Sequence, residues 1–431
     1  MSFLRLISLL TGLIGARIGG AIFGVLTQFV LARNFSPADV GQFFLVMSVT
    51  AIASLIITGG YPSLSVTLLA RYYTLGRKSL VSGFHAASWR DTFVLTAITA
   101  IVIALVVLFG GLQPEVRIAL FFGGLAALPY AVVRLNSAAA NSQRRFTLSY
   151  VPDFIYRSAL LLAFVFLGIY AIPGLTIAQV SWAYVVITVI IMVYQAWALG
   201  PDAASAVMRA KGRDMRKYLR SRAMSLFFVA IITVAFADIV TLIAGYFLST
   251  ADIAVLGISI KLAALIGFVT QSSQQFVVRD LSAAMTRGTR SDVDTLLYRV
   301  NIVALAVMAA AIAGSLIIGE QVLGIFGSDY KAGFWPLMLF LVSQMMRAGS
   351  GMNSHLLSLK GYQIKTASSC AVATFVLVSA IALLAPRFGA MGVAMAVVIT
   401  DVVWAFHLAY LAQRLTGRRA DIMAVAFNRG N

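Results

Sequence analysis

Residues 32–44, Ala32-Arg-Asn-Phe-Ser36-Pro37-Ala-Asp39-Val-Gly-Gln-Phe-Phe44, lie between two long apolar runs and decide how the chain is read. Ser36 suits an N-cap and Pro37 a first helical position. Asp39 falls where a carboxylate can bond back to free backbone N–H groups and meet the positive end of a helix. The stretch predicts a tight link between two helices. The runs on either side are long enough to make both of them membrane spans.

Composition points the same way. Of 431 residues, 61% are hydrophobic and 11% charged, against about 25% charged in soluble domains. The chain reads as an integral membrane protein. A net charge of +18 would suggest nucleic acid in a soluble chain, but here the bases must first be sorted by loop. Segments of about 20 mostly apolar residues fall near 9–32, 40–60, 90–110, 116–137, 153–171 and 177–199. Six more fall near 223–247, 252–274, 300–319, 333–353, 367–385 and 389–412. The first follows Arg5 like a signal peptide, but it runs past Arg17 without a small-x-small cleavage site and is read as a retained span.

Twelve spans put both termini on one side, and Lys and Arg choose which side. With the termini cytoplasmic, 25 of the 33 bases are inside, including the run Arg209, Lys211, Arg213, Arg216, Lys217, Arg220 and Arg222. The outer loops hold four: Arg33, Arg117, Lys331 and Arg387. One missed helix would scatter this asymmetry.

Shifted by 213 residues, Ser36-Pro-Ala-Asp39-Val40 lies over Ser249-Thr-Ala-Asp252-Ile253, Arg77 over Arg290, and Pro173 over Pro386. The links after spans 2 and 8 are the long ones. The expectation is an all-α polytopic protein of about twelve transmembrane helices in two six-helix bundles, residues 1–210 and 211–431. They would be parallel repeats, related by an axis along the membrane normal, around a central cavity. In the link after span 2, Leu64, Leu68, Tyr72 and Leu75 against Arg71, Arg77 and Lys78 are spaced for a short helix, lying on the anionic inner leaflet or serving as a solvated linker.

Six charges fall within the spans: Arg17, Arg134, Lys261 and Arg347, with Asp238 and Asp401. At a helix centre each costs about 2.5–3.5 kcal/mol, on the order of 15 kcal/mol together if lipid-exposed, so they must face an interior. Four bases against two acids favour an anionic passenger over a cation. Arg17 and Lys261 lie deepest and are the leading substrate-facing residues. Arg134, near an inner interface, can snorkel instead, and so can Arg347, for which cavity lining is the rival role. Asp238 and Asp401 are expected as charge partners, with ion coupling as the alternative.

No catalytic set is apparent. His85, His355 and His407 have no metal-like spacing with each other or with the lone Cys370, there are two glutamates, Glu115 and Glu320, and no Gly-rich phosphate cradle is present. The expectation is a protein that is not an enzyme and uses no cofactor or metal.

Several motifs carry a family resemblance. The run from Gly12 through Arg17 to Leu31-Ala-Arg-Asn-Phe-Ser-Pro-Ala-Asp-Val-Gly41-Gln-Phe43, then Gly59-Gly60-Tyr-Pro-Ser and Arg71, resembles the N-terminal part of bacterial polysaccharide flippases. Leu359-Lys-Gly-Tyr-Gln-Ile-Lys365 and Phe388-Gly-Ala-Met-Gly-Val-Ala394 are similar to the family's loop before helix 11 and its start of helix 12. These are the O-antigen and exopolysaccharide translocases of the multidrug/oligosaccharidyl-lipid/polysaccharide exporter superfamily. The resemblance implies a bacterial inner-membrane protein that turns undecaprenyl-pyrophosphate-linked oligosaccharide from the cytoplasmic to the periplasmic leaflet, with Arg17 and then Lys261 meeting the head group. Membrane lipids, a polysaccharide polymerase and chain-length proteins are the other partners it implies. Peptidoglycan-precursor flippases of the superfamily generally have two further helices, and its multidrug exporters typically put an acid where helix 1 here carries Arg17. A major-facilitator-type or multidrug transporter of a small solute is the runner-up, and a membrane polymerase or acyltransferase comes after it.

Overall fold

A computed structural model describes the chain over residues 3–200, 213–287 and 290–422. The linker bases Arg209 and Lys211 lie outside the described residues, as does the side chain of Arg17. The described residues hold helices and no strand.

Helix α1 (Phe3–Asn34) leads to α2 (Pro37–Thr58) through the stretch quoted above. Ser36 is the N-cap: the Asp39 N–H donates to its Oγ at 3.2 Å, and the Oγ–H donates to the Asp39 carboxylate at 2.6 Å. A helical segment α3 (residues 61–74), α4 (Lys78–Phe109), α5 (Pro114–Ser142) and α6 (Phe146–Ala171) follow. Then come α7 (Ile177–Leu199), α8 (Arg213–Val234), α9 (Phe236–Phe247), α10 (Thr250–Arg287) and α11 (Arg290–Phe326). A 3₁₀ turn (Ser328–Gly333), α12 (Phe334–Gly349), α13 (Asn353–Leu359) and α14 (Gln363–Thr416) complete the chain.

Eight of these helices are long and apolar enough to cross a membrane. One of the eight is two spans. A straight helix of 54 residues, the length of α14, would run about 81 Å, well over twice the hydrocarbon thickness. Gly389 breaks it with φ 59° and ψ −138°, a conformation closed to residues with a side chain, just after Pro386. With the shorter apolar helix Ile18–Asn34, with α8 and α9 together as one span, and with α12, the architecture is the expected one of about twelve spans. The described residues of the long link after span 8 are helical, because α10 and α11 extend to Arg287 and from Arg290.

By internal packing the chain falls into two compact units, Met1–Leu242 and Ile243–Asn431. In the first, α2 is central, with 78% of its apolar window buried, while α4 is peripheral, with 11% buried. The exposed face of α4, including Phe93, Ile98, Ile101 and Leu105, is what a lipid-facing helix presents. Segment α3 is helical, but it does not rest on the leaflet through Leu64. Leu64 and Leu69 are buried with Phe84 and Leu135, and with Leu219 and Ala223 of α8. These large apolar side chains gain more from burial among neighbours than from a membrane surface. Arg216 of α8 donates to Asp91 of α4 at 2.6 Å, and Tyr61 donates to the other oxygen of the same carboxylate at 2.7 Å.

The second unit repeats the opening motif. Ser249 Oγ donates to Asp252 at 2.7 Å and accepts from its N–H at 3.2 Å, nearly the distances at Ser36. In its 3₁₀ turn, burial, then the Asp329 charge, push the Tyr330 phenol up to about 12, so it stays neutral as a packed anchor.

Candidate functional site

The first unit gathers Asp153 and two phenols around Arg157, with Arg134 beside one of the phenols. Helix α6 is not regular: residues Val151–Tyr156, beginning at Val151-Pro152, form a π-helical turn between two α segments. Pro152 has no N–H for the regular ladder, and the widened turn is the usual answer to such a break. It leaves Asp153 and Arg157 one turn apart, with Arg157 Nε 3.1 Å from the Asp153 carboxylate. The guanidinium lies 4.5 Å from the Tyr130 ring centroid and donates to the Tyr184 hydroxyl at 3.1 Å and the Tyr130 hydroxyl at 3.3 Å. Arg134, one turn beyond Tyr130 on α5, is half-buried with its guanidinium 5.9 Å from the same ring.

Asp238 of α9 accepts from Ser48 of α2 at 3.1 Å. Helix α1 packs against the π-helical turn. A Cβ at Gly20 would sit 2.5 Å from the Phe154 carbonyl oxygen, so only glycine permits this approach. Arg17 is on α1, one turn before Gly20, and its side chain lies outside the described residues.

The chemistry of this cluster follows from its donors. Arg157 gives N–H bonds to both phenol oxygens, so each phenol O–H must find its acceptor elsewhere. Among the described residues neither has one. Two cations and two phenols suit an acceptor-rich ligand such as a phosphate ester or a sugar, and Asp153 pairs with Arg157.

In the second unit, Asp401 is 1% exposed and accepts from Arg347 Nε at 2.9 Å and from the Ser343 hydroxyl. The Arg347 guanidinium also lies 5.6 Å from the Trp404 ring. Lys261 is half-buried on α10. Of the residues read from sequence, the structure places Arg134 beside Tyr130, puts Asp238 against Ser48, and pairs Arg347 with Asp401. Two missed residues are Arg157 and Asp153: Arg157 counted as an inner-loop base, yet its side chain is 17% exposed inside the bundle. The i,i+4 pairs Asp153/Arg157 and Tyr130/Arg134 were the signal for it. Among the described residues, Arg134, Arg157, Lys261 and Arg347 stand against Asp153, Asp238 and Asp401, an excess of one base.

No family model matches the sequence, and no curated protein matches it. Solved structures do. The chain is similar to a multidrug resistance MATE family transporter of the MOP superfamily in its inward-facing conformation, with a TM-score of 0.74 at 16% identity over 94% of this chain and 96% of that one. It is similar to the lipid II flippase MurJ, with a TM-score of 0.71 at 13% identity over 92% of this chain and 86% of that one. A MOP superfamily transporter from Pyrococcus furiosus gives a TM-score of 0.57 at 14% identity over 96% of each chain. The chain thus has the all-helical fold of MOP superfamily transporters and flippases.

Proposed function

We propose that this protein is a flippase that moves undecaprenyl-pyrophosphate-linked oligosaccharide repeat units from the cytoplasmic to the periplasmic leaflet of a bacterial inner membrane, by alternating access of its two halves. Both termini are cytoplasmic in this reading. The observation that carries it is the basic excess inside the bundles, since a pyrophosphate diester is dianionic and a polar sugar can use the phenol donors beside Arg157. Arg17, Lys261, Arg134 and Arg347 are assigned to the passenger, and Asp238 and Asp401 to holding bases in place. The MurJ-like fold supports a lipid-linked passenger.

A strain lacking the protein should accumulate lipid-linked oligosaccharide on the inner leaflet, and Arg17→Ala should fail to restore surface polysaccharide at normal protein level. Full restoration by Arg17→Ala would remove that residue from the site.

The MATE-like fold favours a second reading, multidrug export. It predicts that the deletion sensitises cells to cationic dyes and leaves surface polysaccharide intact. The basic excess weighs against it, because a cation would enter a positive interior.

A further inference from the structure

Four polar side chains from three helical elements of the first unit meet away from the Arg157 cluster. Ser65 begins the π-helical turn of α3, His85 and Ser88 are on α4, and Asn136 is on α5. With Phe84 and Leu135 as apolar walls they line a cavity of about 10 Å³, which is the room of one water molecule. All six are buried, Asn136 with 6% exposure.

Each of the four polar groups has hydrogen-bonding capacity left over. Among the described residues the Asn136 Nδ2 amide, although buried, has no acceptor, a state that buried donors rarely keep. The two serines have used their protons: Ser65 Oγ donates to the Tyr61 carbonyl at 2.9 Å, and Ser88 Oγ to the His85 carbonyl at 2.9 Å. Their oxygen lone pairs can still accept. The Tyr73 hydroxyl accepts from Gln143 Nε2 at 2.9 Å, which directs the phenol's own proton toward His85 Nε2 at 3.3 Å. A neutral His85 then carries its proton on Nδ1, as a second donor.

Two N–H donors and two acceptor oxygens around so small a volume complement a molecule that accepts twice and donates twice. A metal cation does not fit, because it would meet N–H groups and, among the described residues, no carboxylate lines the cavity. We propose that this cavity is the site of one ordered water, which accepts from Asn136 Nδ2 and His85 Nδ1 and donates to the Ser65 and Ser88 oxygens. The water joins the π-helical turn of α3 to α4 and α5 at a single point. The site does not depend on which passenger the protein carries.

The test is solid-state NMR of the full chain, labelled with ¹⁵N-histidine, in lipid bilayers. Only three histidines are present, and His355→Gln and His407→Gln each remove one signal, which leaves that of His85. His85 should be protonated on Nδ1, and that N–H should receive polarisation from water protons. An Nε2-protonated ring, or an Nδ1–H that receives nothing from water, would overturn the proposal. Ser88→Ala gives a second reading that adds no atom to the site. Loss of the water's acceptor should raise the unfolding constant about fivefold, the scale of one hydrogen bond. Without a water, Ser88 serves only a carbonyl of its own helix and alanine is the better helix former, so an unchanged or lower unfolding constant would count against the site.

Discussion

Removing the Asp401 carboxylate tests whether the interior charges of the second unit are structural or face a passenger. Asp401→Leu leaves Arg347 with its Nε–H unmatched in an apolar bundle, where the lost 2.9 Å contact was its ion pair. Stranding one member of a buried pair costs about 3–5 kcal/mol. Arg347 retains 25% exposure and a ring face at 5.6 Å, so the lower end, about 3 kcal/mol, is expected. Ser343 loses an acceptor but can turn to a backbone carbonyl one turn back.

The double change Arg347→Leu with Asp401→Leu removes both charges and should recover most of the loss, because apolar replacement of a buried pair is often neutral or better. The coupling energy should be about 2–3 kcal/mol. Denaturant unfolding of the purified protein in mixed micelles, followed by tryptophan fluorescence, reads this cycle. Single losses that simply add in the double variant would refute the pairing argument. Export by the double variant gives a separate answer: stable protein without surface polysaccharide assigns Arg347 to the passenger.

Ser36→Ala and Ser249→Ala should each cost about 1 kcal/mol of stability, and by nearly equal amounts, since the two caps share their geometry; a loss at one site alone would break the equivalence of the halves. Arg157→Lys should lower export severalfold at normal protein level, because an ammonium cannot serve Asp153 and both phenols at once; wild-type export in a complementation assay would count against the cluster. Gly20→Val should separate α1 from the π-helical turn and cost about 1–3 kcal/mol of stability, readable as a lower unfolding temperature. A cysteine near Arg213 should be reached by a membrane-impermeant thiol reagent only from the cytoplasmic side, and labelling from the periplasm would reverse the proposed orientation.

The span count and the duplicated helix starts were legible in the sequence because both are local. A membrane span must satisfy its backbone within about 20 apolar residues, and a cap is completed within four, as Ser36 to Asp39 and Ser249 to Asp252 confirm. Partnership across helices is not local. Arg157 read as an inner-loop base because it stands near the start of its apolar run, and only packing brings Tyr130, from 27 residues earlier, and Tyr184, from 27 residues later, to its guanidinium. Likewise Asp401 and Arg347 are 54 residues apart and meet because α12 packs against α14. Sequence alone determined the presence of interior charges and their sign, through the cost of a charge in lipid. Tertiary structure decided which acid holds which base, because helix register and close approach set distances of a few ångströms that no spacing along one helix specifies.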